Sequence, residues 1–252
     1  MAPLGYLLIG LFLPLFPFSM GFNALFRSTR NVVLRGALLL LWPQIGLALL
    51  SWMAVTPPAW LLPWALSTSA LYAFRALALR EVGQWTGFLA TSLWALLWVW
   101  VVGDSKSSPA GLHALGFSVP LVLLAMLAAG LERRFGAAFT GLYSGLAQTL
   151  PRLSGALVMV VLAAVATPLF SPFFSVLGII VDTADGMPGA ALAVLGIWLL
   201  WSWAGIRLLQ GLVIGPAGSS ESDDLTLASA WGYAIALALL IVGGIHLTGD
   251  LT

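Results

Sequence analysis

Apolar residues in this chain fall in long unbroken blocks, and polar residues gather in the short gaps between them. Blocks such as ALLLLWPQIGLALL do not alternate apolar with polar positions, which argues against a transmembrane β-barrel. A spanning helix needs about 20 apolar residues, and blocks near that length occur at about 3–26, 36–55, 59–79, 86–103 and 111–131. A sixth block starts near Ser154, breaks at Pro168 and leaves a short piece at about 172–181. Two more follow at about 189–213 and 226–247. The pattern predicts an all-α polytopic membrane protein with eight or nine transmembrane helices, the count turning on whether the piece after Pro172 crosses. It reads as a single transmembrane domain over 1–252, with opening spans to 80, a core over 81–216, and an acidic loop and last span over 217–252. Pro14 and Pro17 are expected to kink the first span, and Pro43 and Gln44 lie inside the second. The first block has no basic residue before it and no small-residue cleavage pattern, so it reads as a retained span.

Composition sharpens this class. The 252 residues are 61% hydrophobic and 8% charged, where a soluble domain carries roughly 25% charged residues. A net charge of +1 offers no basic face for phosphates, so nucleic acid is not an expected partner. The absence of cysteine excludes disulfides, cysteine-ligated clusters and thiol catalysis. The two histidines, His113 and His246, are far apart and make no metal-ligand spacing; no metal or other cofactor is expected. With no nucleophile–base pair and no phosphate loop, the chain is not expected to be an enzyme by itself. Arginines cluster at 27–35, 75–80 and 132–152, after the first, third and fifth blocks, whereas the loops after the second and fourth hold only Asp104 and Lys106. That bias puts the N-terminus outside and the basic loops in the cytoplasm of a multi-pass protein of the cell inner (cytoplasmic) membrane. The twelve tryptophans exceed what interfacial belts need. They are expected to be chiefly interfacial and lipid-facing, some packing within the bilayer.

Ionisable groups inside a membrane default to functional candidates, and here they are few. Arg207 stands nine residues before Pro216, about 13 Å along a helix, so its guanidinium must snorkel, meet a carboxylate or line water. Reaching the near interface is the first reading for Arg207; an ion path and a partner-subunit contact are the others. Gln210 lies about one turn on. Asp182 and Asp185 close the broken segment among turn residues that favour a solvated loop. His113 opens the fifth span and could relay protons, although a lone interfacial histidine is usually solvated, as is His246. Arg75, one turn inside its span, is expected to snorkel. The candidate ion path is therefore Arg207, Gln210, His113 and Asp182, beside a helix break at Pro168 and Pro172. A break in mid-membrane needs protein or water to supply hydrogen-bond partners.

Five segments in order from about Leu79 to Pro216 resemble the antiporter-like membrane subunits of respiratory complex I, shared with Mrp-type antiporters, membrane hydrogenases and DAB-type inorganic-carbon uptake systems. LREVGQWTGFLATSLWALLWVWVVG resembles the span entered through "DLKRLLAYSTISQ". HALGFSVPLVLLAMLAAG is similar to "HAFFKALLFLAAG", and GLYSGLAQTLPRLSG to the "GGLAKRMP" linker. ATPLFSPFFSVLGII resembles the break "LPGTSGFFSKDEIL", and WAGIRLLQGLVIGP the span "YMLRMYQRVFFGP". The resemblance implies a membrane subunit of a proton-motive-force-linked complex, with other membrane subunits, the lipid bilayer and a soluble or peripheral catalytic subunit as partners. Family members are longer, and a central set carrying a channel glutamate and lysine is missing here. The family's lysine position falls on Phe117, and the charged positions of the broken helix fall on Val176, Leu177 and Gly178. Only His113 and Arg207 carry over. The implied role is structural or docking, with an ion conduit completed by a partner as the alternative.

Overall fold

The structure, a computed structural model, describes residues 2–53, 57–102, 110–142, 144–216 and 223–248. Among these residues the chain is all helical: α1 (Ala2–Phe12), α2 (Ser19–Ser28), α3 (Val32–Met53), α4 (Leu61–Ala76), α5 (Val82–Ala95), α6 (Leu97–Val102), α7 (Ala110–Phe135), α8 (Leu146–Thr149), α9 (Pro151–Ala164), α10 (Ser171–Ala184), α11 (Pro188–Leu212) and α12 (Leu227–Thr248). The polar loop around Lys106, the start of the TPPAWLLP turn and most of the SSESDD loop lie outside the described residues.

The expected eight or nine long spans are not what the helices give. Among the described residues, five stretches are long and apolar enough to cross a membrane: Val32–Met53, Val82–Val102, Ala110–Phe135, Pro188–Leu212 and Leu227–His246. The difference has a local cause. The first apolar block is cut between α1 and α2, where the Phe16–Pro17 peptide is cis. The sixth is cut between α9 and α10, and α4 is only 16 residues long. Apolar composition runs through these cuts, so it cannot reveal where the backbone stops being helical.

The centre of the bundle is α5–α6, 83% buried, against 17% for α12 on the rim. Serines and threonines knit the centre where hydrophobicity gives no preference between helix and lipid. Ser69 of α4 and Ser92 of α5 each donate to the other's carbonyl at 2.7 Å, and Trp201 of α11 donates to the Ser92 hydroxyl at 2.8 Å. Ser19 of α2 reaches the Tyr72 hydroxyl at 2.9 Å, and Asn23 reaches Thr91 at 2.8 Å.

Glu132, near the end of α7, pairs with Arg35 of α3 at 3.3 Å, while the Arg35 guanidinium also donates to the Thr29 carbonyl. This fixes the basic loops at one face, here termed the basic face. His113 lies 19 residues earlier on α7, about 29 Å away along the axis. At the basic face, a clasp of backbone bonds joins the segment before α9 to the end of α11: Gly141 N–H donates to Gly211, and Ala147 N–H to Val213. Gly145 holds φ +75° there, and a Cβ would come within 2.5 Å of the Pro216 carbonyl oxygen.

Asp224 completes the clasp. Its carboxylate accepts from the Arg152 and Leu153 amides at 2.9 and 3.0 Å, capping α9, whose own flanking residue Leu150 supplies no side-chain cap. Partial burial would raise the Asp224 carboxyl's pKa, but the amides of Arg152, Leu153 and Leu225 and the Arg152 charge outweigh that and hold it below 3.8. A lowered pKa means that the cap stabilises the fold above the ordinary carboxylate value and is lost as pH falls through the folded value. Asp224→Ala should therefore cost about 1 kcal/mol at neutral pH. Thermal unfolding of the detergent-solubilised chain should show the gap to the unaltered protein closing in acid. A gap independent of pH would exclude the carboxylate as the stabilising group.

Candidate functional site

The break between α9 and α10 is built from local backbone rules. Pro168 has no amide to continue α9, and Pro172 sits in the first turn of α10, where its fixed φ suits a helix start. Between them the chain turns through two non-glycine residues at positive φ, Ala166 at 59° and Leu169 at 95°. Such conformations are uncommon outside glycine and persist only where the surroundings hold them. Thr167 ties both its amide and its hydroxyl to the Leu162 carbonyl, at 3.1 and 2.9 Å. The carbonyls of Val165 and Ala166 both accept from the indole N–H of Trp198 on α11, at 3.2 and 3.1 Å. The partners the broken backbone requires are thus provided by protein.

The same solution serves the other break, between α1 and α2. Trp42, Trp98 and Trp64 donate their indole N–H groups to the carbonyls of Leu11, Leu13 and Phe16 at 3.0, 3.0 and 2.7 Å. Thr68 accepts from the Phe16 amide at 3.1 Å. Trp85, Trp94, Trp98 and Trp201 are fully buried. The expectation of chiefly interfacial and lipid-facing tryptophans is therefore corrected for this interior set. The spacing in WALLWVW and WLLWSW carried no sign of their partners: Trp98 donates to the Leu13 carbonyl, Trp94 to the Ser118 hydroxyl and Trp201 to the Ser92 hydroxyl.

Beyond the break, α10 meets α7. Ser175 Oγ lies 2.9 Å from His113 Nδ1, and the His113 ring lies over Trp100 at 3.6 Å between centroids. His113 is therefore a buried, hydrogen-bonded residue, 6% exposed, in place of the solvated interfacial histidine expected. Ser171, at the first turn of α10, is buried with its hydroxyl unpartnered. A Cβ on Gly116 would lie 3.3 Å from that hydroxyl, so the missing side chain is what lets α7 approach. Neither serine stood out in sequence, because an isolated serine in an apolar block looks like any packing residue.

The sequence-derived candidates do not converge. Asp182 lies on the exposed surface of α10, about 10 Å along the axis past Ser175. Arg207 and Gln210 are exposed and belong to the opposite, basic end; Arg207 lines a polar cavity of about 160 Å³ with Arg80, Thr140 and the chain at Ala76–Leu79. That placement matches the interface-reaching reading of Arg207. Pro168 is exposed and Pro172 buried, one on each side of the turn. Phe117 and Val176, where the resemblance places charged groups, are both 0% exposed. Among the described residues no lysine, aspartate or glutamate is buried, and no group of three metal-ligating side chains occurs.

No protein-family model matches the sequence, and no curated protein matches it. Solved structures do. The chain superposes with TM-score 0.80 and 21% identity on a chain of respiratory complex I from Thermus thermophilus, covering 94% of this chain and 52% of that one. For the Mrp complex from Dietzia sp. DQ12-45-1b the values are 0.79, 14%, 96% and 56%. For the membrane-bound sulfane sulfur reductase, an archaeal respiratory membrane complex, they are 0.80, 19%, 96% and 51%. The chain shares its fold with these chains of membrane complexes. It spans about half the length of the chains it matches.

Trp198→Phe keeps the ring and removes the donor for two carbonyls, which should cost about 1–3 kcal/mol. Hydrogen exchange at residues 166–170 should accelerate with it, whereas Trp203→Phe, altering a ring 57% exposed, should leave both unchanged. Unaltered exchange in Trp198→Phe would mean that the break does not depend on the indole.

Proposed function

We propose that this chain is a membrane subunit of a proton-motive-force-linked complex, in which it has a structural or docking role. Its candidate hosts are an inorganic-carbon uptake assembly, a complex I-like enzyme or an Mrp-like antiporter, in the cell inner membrane. Its partners are other membrane subunits and a peripheral catalytic subunit, and it carries no catalytic centre of its own. In this reading α1–α2 and α9–α10 each complete one crossing, the two pieces stacked end to end across a break.

One observation carries the reading: Phe117 and Val176 are fully buried and apolar where the resemblance calls for titratable groups. Proton transfer through a membrane needs residues that change charge or water that passes the proton. Phenylalanine and valine do neither, and a wet path at these positions would strip water of its partners. The similar solved structures are chains of respiratory complex I, an Mrp complex and an archaeal respiratory membrane complex, which supports a place in a multi-subunit membrane complex.

A conduit completed by a partner is the second reading, favoured by the His113–Ser175 contact and the unpartnered Ser171 hydroxyl beside the break. Proteoliposomes containing only the purified chain distinguish the two. The docking role expects no proton uptake above that of empty vesicles; uncoupler-sensitive uptake that is lost in His113→Ala or Arg207→Ala would establish the conduit. A second measurement addresses the apolar interior. Phe117→Met should fold with little loss, whereas Phe117→Lys should sharply lower the yield of monodisperse protein, because a charge there has neither water nor a counter-ion. Normal folding of Phe117→Lys would indicate a hydrated interior.

A further inference from the structure

A cavity of the molecule lies away from both breaks. It is a groove of about 470 Å³ between α7, α9 and α12, running from the basic face into the bundle's flank. Its wall on α7 extends from Leu123 to Arg133, about 15 Å along the axis, which is half of a hydrocarbon core of roughly 30 Å. The groove therefore spans the depth of one leaflet. Its walls are largely apolar, with Leu127, Leu153 and Tyr233 among them, and Ser229 and Gly232 keep the α12 side shallow.

The mouth is basic. Arg133 and Arg134 stand at its end, and Arg133 with Arg30 lines an adjoining cavity of about 240 Å³. Arg134 is held in place by the carbonyls of Gly130 and Asp223, at 3.2 and 3.0 Å, and neither bond neutralises its charge. Arg133 makes no ion pair or hydrogen bond with a described residue. The nearby carboxylates are largely committed elsewhere: Glu132 to Arg35, and Asp224 to the amides at the start of α9. Asp223 is the exposed exception on the same rim. Among the described residues, three arginines against one uncommitted carboxylate leave a cationic rim over an apolar slot.

We propose that this groove binds a phospholipid with an anionic headgroup from the cytoplasmic leaflet, its acyl chain between α7 and α12 and its phosphate on Arg133 and Arg134. An acyl chain suits a slot with no polar side-chain array along its depth. A phosphate suits guanidinium groups whose donors lie at the level of the interface. A zwitterionic lipid would fill the slot equally well but bring its own cation against the arginines. The charge, more than the slot, therefore selects the ligand.

Native mass spectrometry of the purified full chain, titrated with phosphatidylglycerol or phosphatidylcholine of identical acyl chains, tests this. Phosphatidylglycerol should be retained in roughly tenfold excess or more at low salt. The double variant Arg133→Gln/Arg134→Gln should bring the two lipids to parity. Ser229→Trp, which fills the slot and keeps both charges, should lower retention of both lipids, and it decides the matter alone if the double variant does not fold. Equal retention of the two lipids by the unaltered chain would overturn the proposal, as would full retention in Ser229→Trp. Inorganic phosphate displacing the lipid signal at equal concentration would make the ligand a free anion and overturn it as well.

Discussion

A carbonyl freed inside a bilayer has no water to turn to, and the architecture of this protein depends on how that is met. Two of its apolar segments are cut in mid-course, and each cut leaves acceptors facing the interior. The answer at both is an indole N–H from another helix: three at the first break, one shared between two carbonyls at the second. Tryptophan suits the task because a single residue brings a donor and a large apolar body. The donor satisfies the carbonyl, and the ring fills space that the bent chain leaves open. The two breaks, between α1 and α2 and between α9 and α10, are thus held by donors on four other helices, α3, α4, α6 and α11.

With the breaks sealed by protein, the interior has little use for charge. Its buried polar groups are chiefly hydroxyls bonded to carbonyls or to one another, with His113 set against Ser175 and Trp100. The arginines that survive are gathered at one face, where they pair, snorkel or line cavities open to that side. Charge is therefore segregated by depth, as in a body that fits a membrane and its neighbours. Two departures stand among the described residues, the Ser171 hydroxyl at the start of α10 and the Trp85 indole N–H, both buried without a partner.

Much of the architecture could be read from the chain before its coordinates. Apolar blocks gave the class, the arginine bias gave the common basic face, and five weak motifs in order led to a fold that the superpositions support. The break near Pro168 was visible because proline removes an amide wherever it stands. The number of long helices was not visible, since hydropathy is continuous across a turn such as Val165–Phe170. Linear spacing set Arg207 about 13 Å before Pro216, with reaching the near interface as its first reading. The chain after Leu212 folds into the clasp at the basic face, and Arg207 belongs to that face. His113 was misjudged: sequence shows that it opens a helix but not that Trp100 and α10 close over it.

The clasp at the basic face has a mechanical meaning. There the start of α9, the end of α11 and the approach to α12 are tied by backbone bonds, by two glycines in close contact and by the Asp224 carboxylate. Across the break, α10 packs its buried face, Val176 and Ile179 included, among α7, α11 and α12, with Ser175 against His113 and the Ser171 hydroxyl unpartnered. The two ends of the bundle are thus held by different means, backbone bonds and a carboxylate at the basic face and side-chain packing beyond the break.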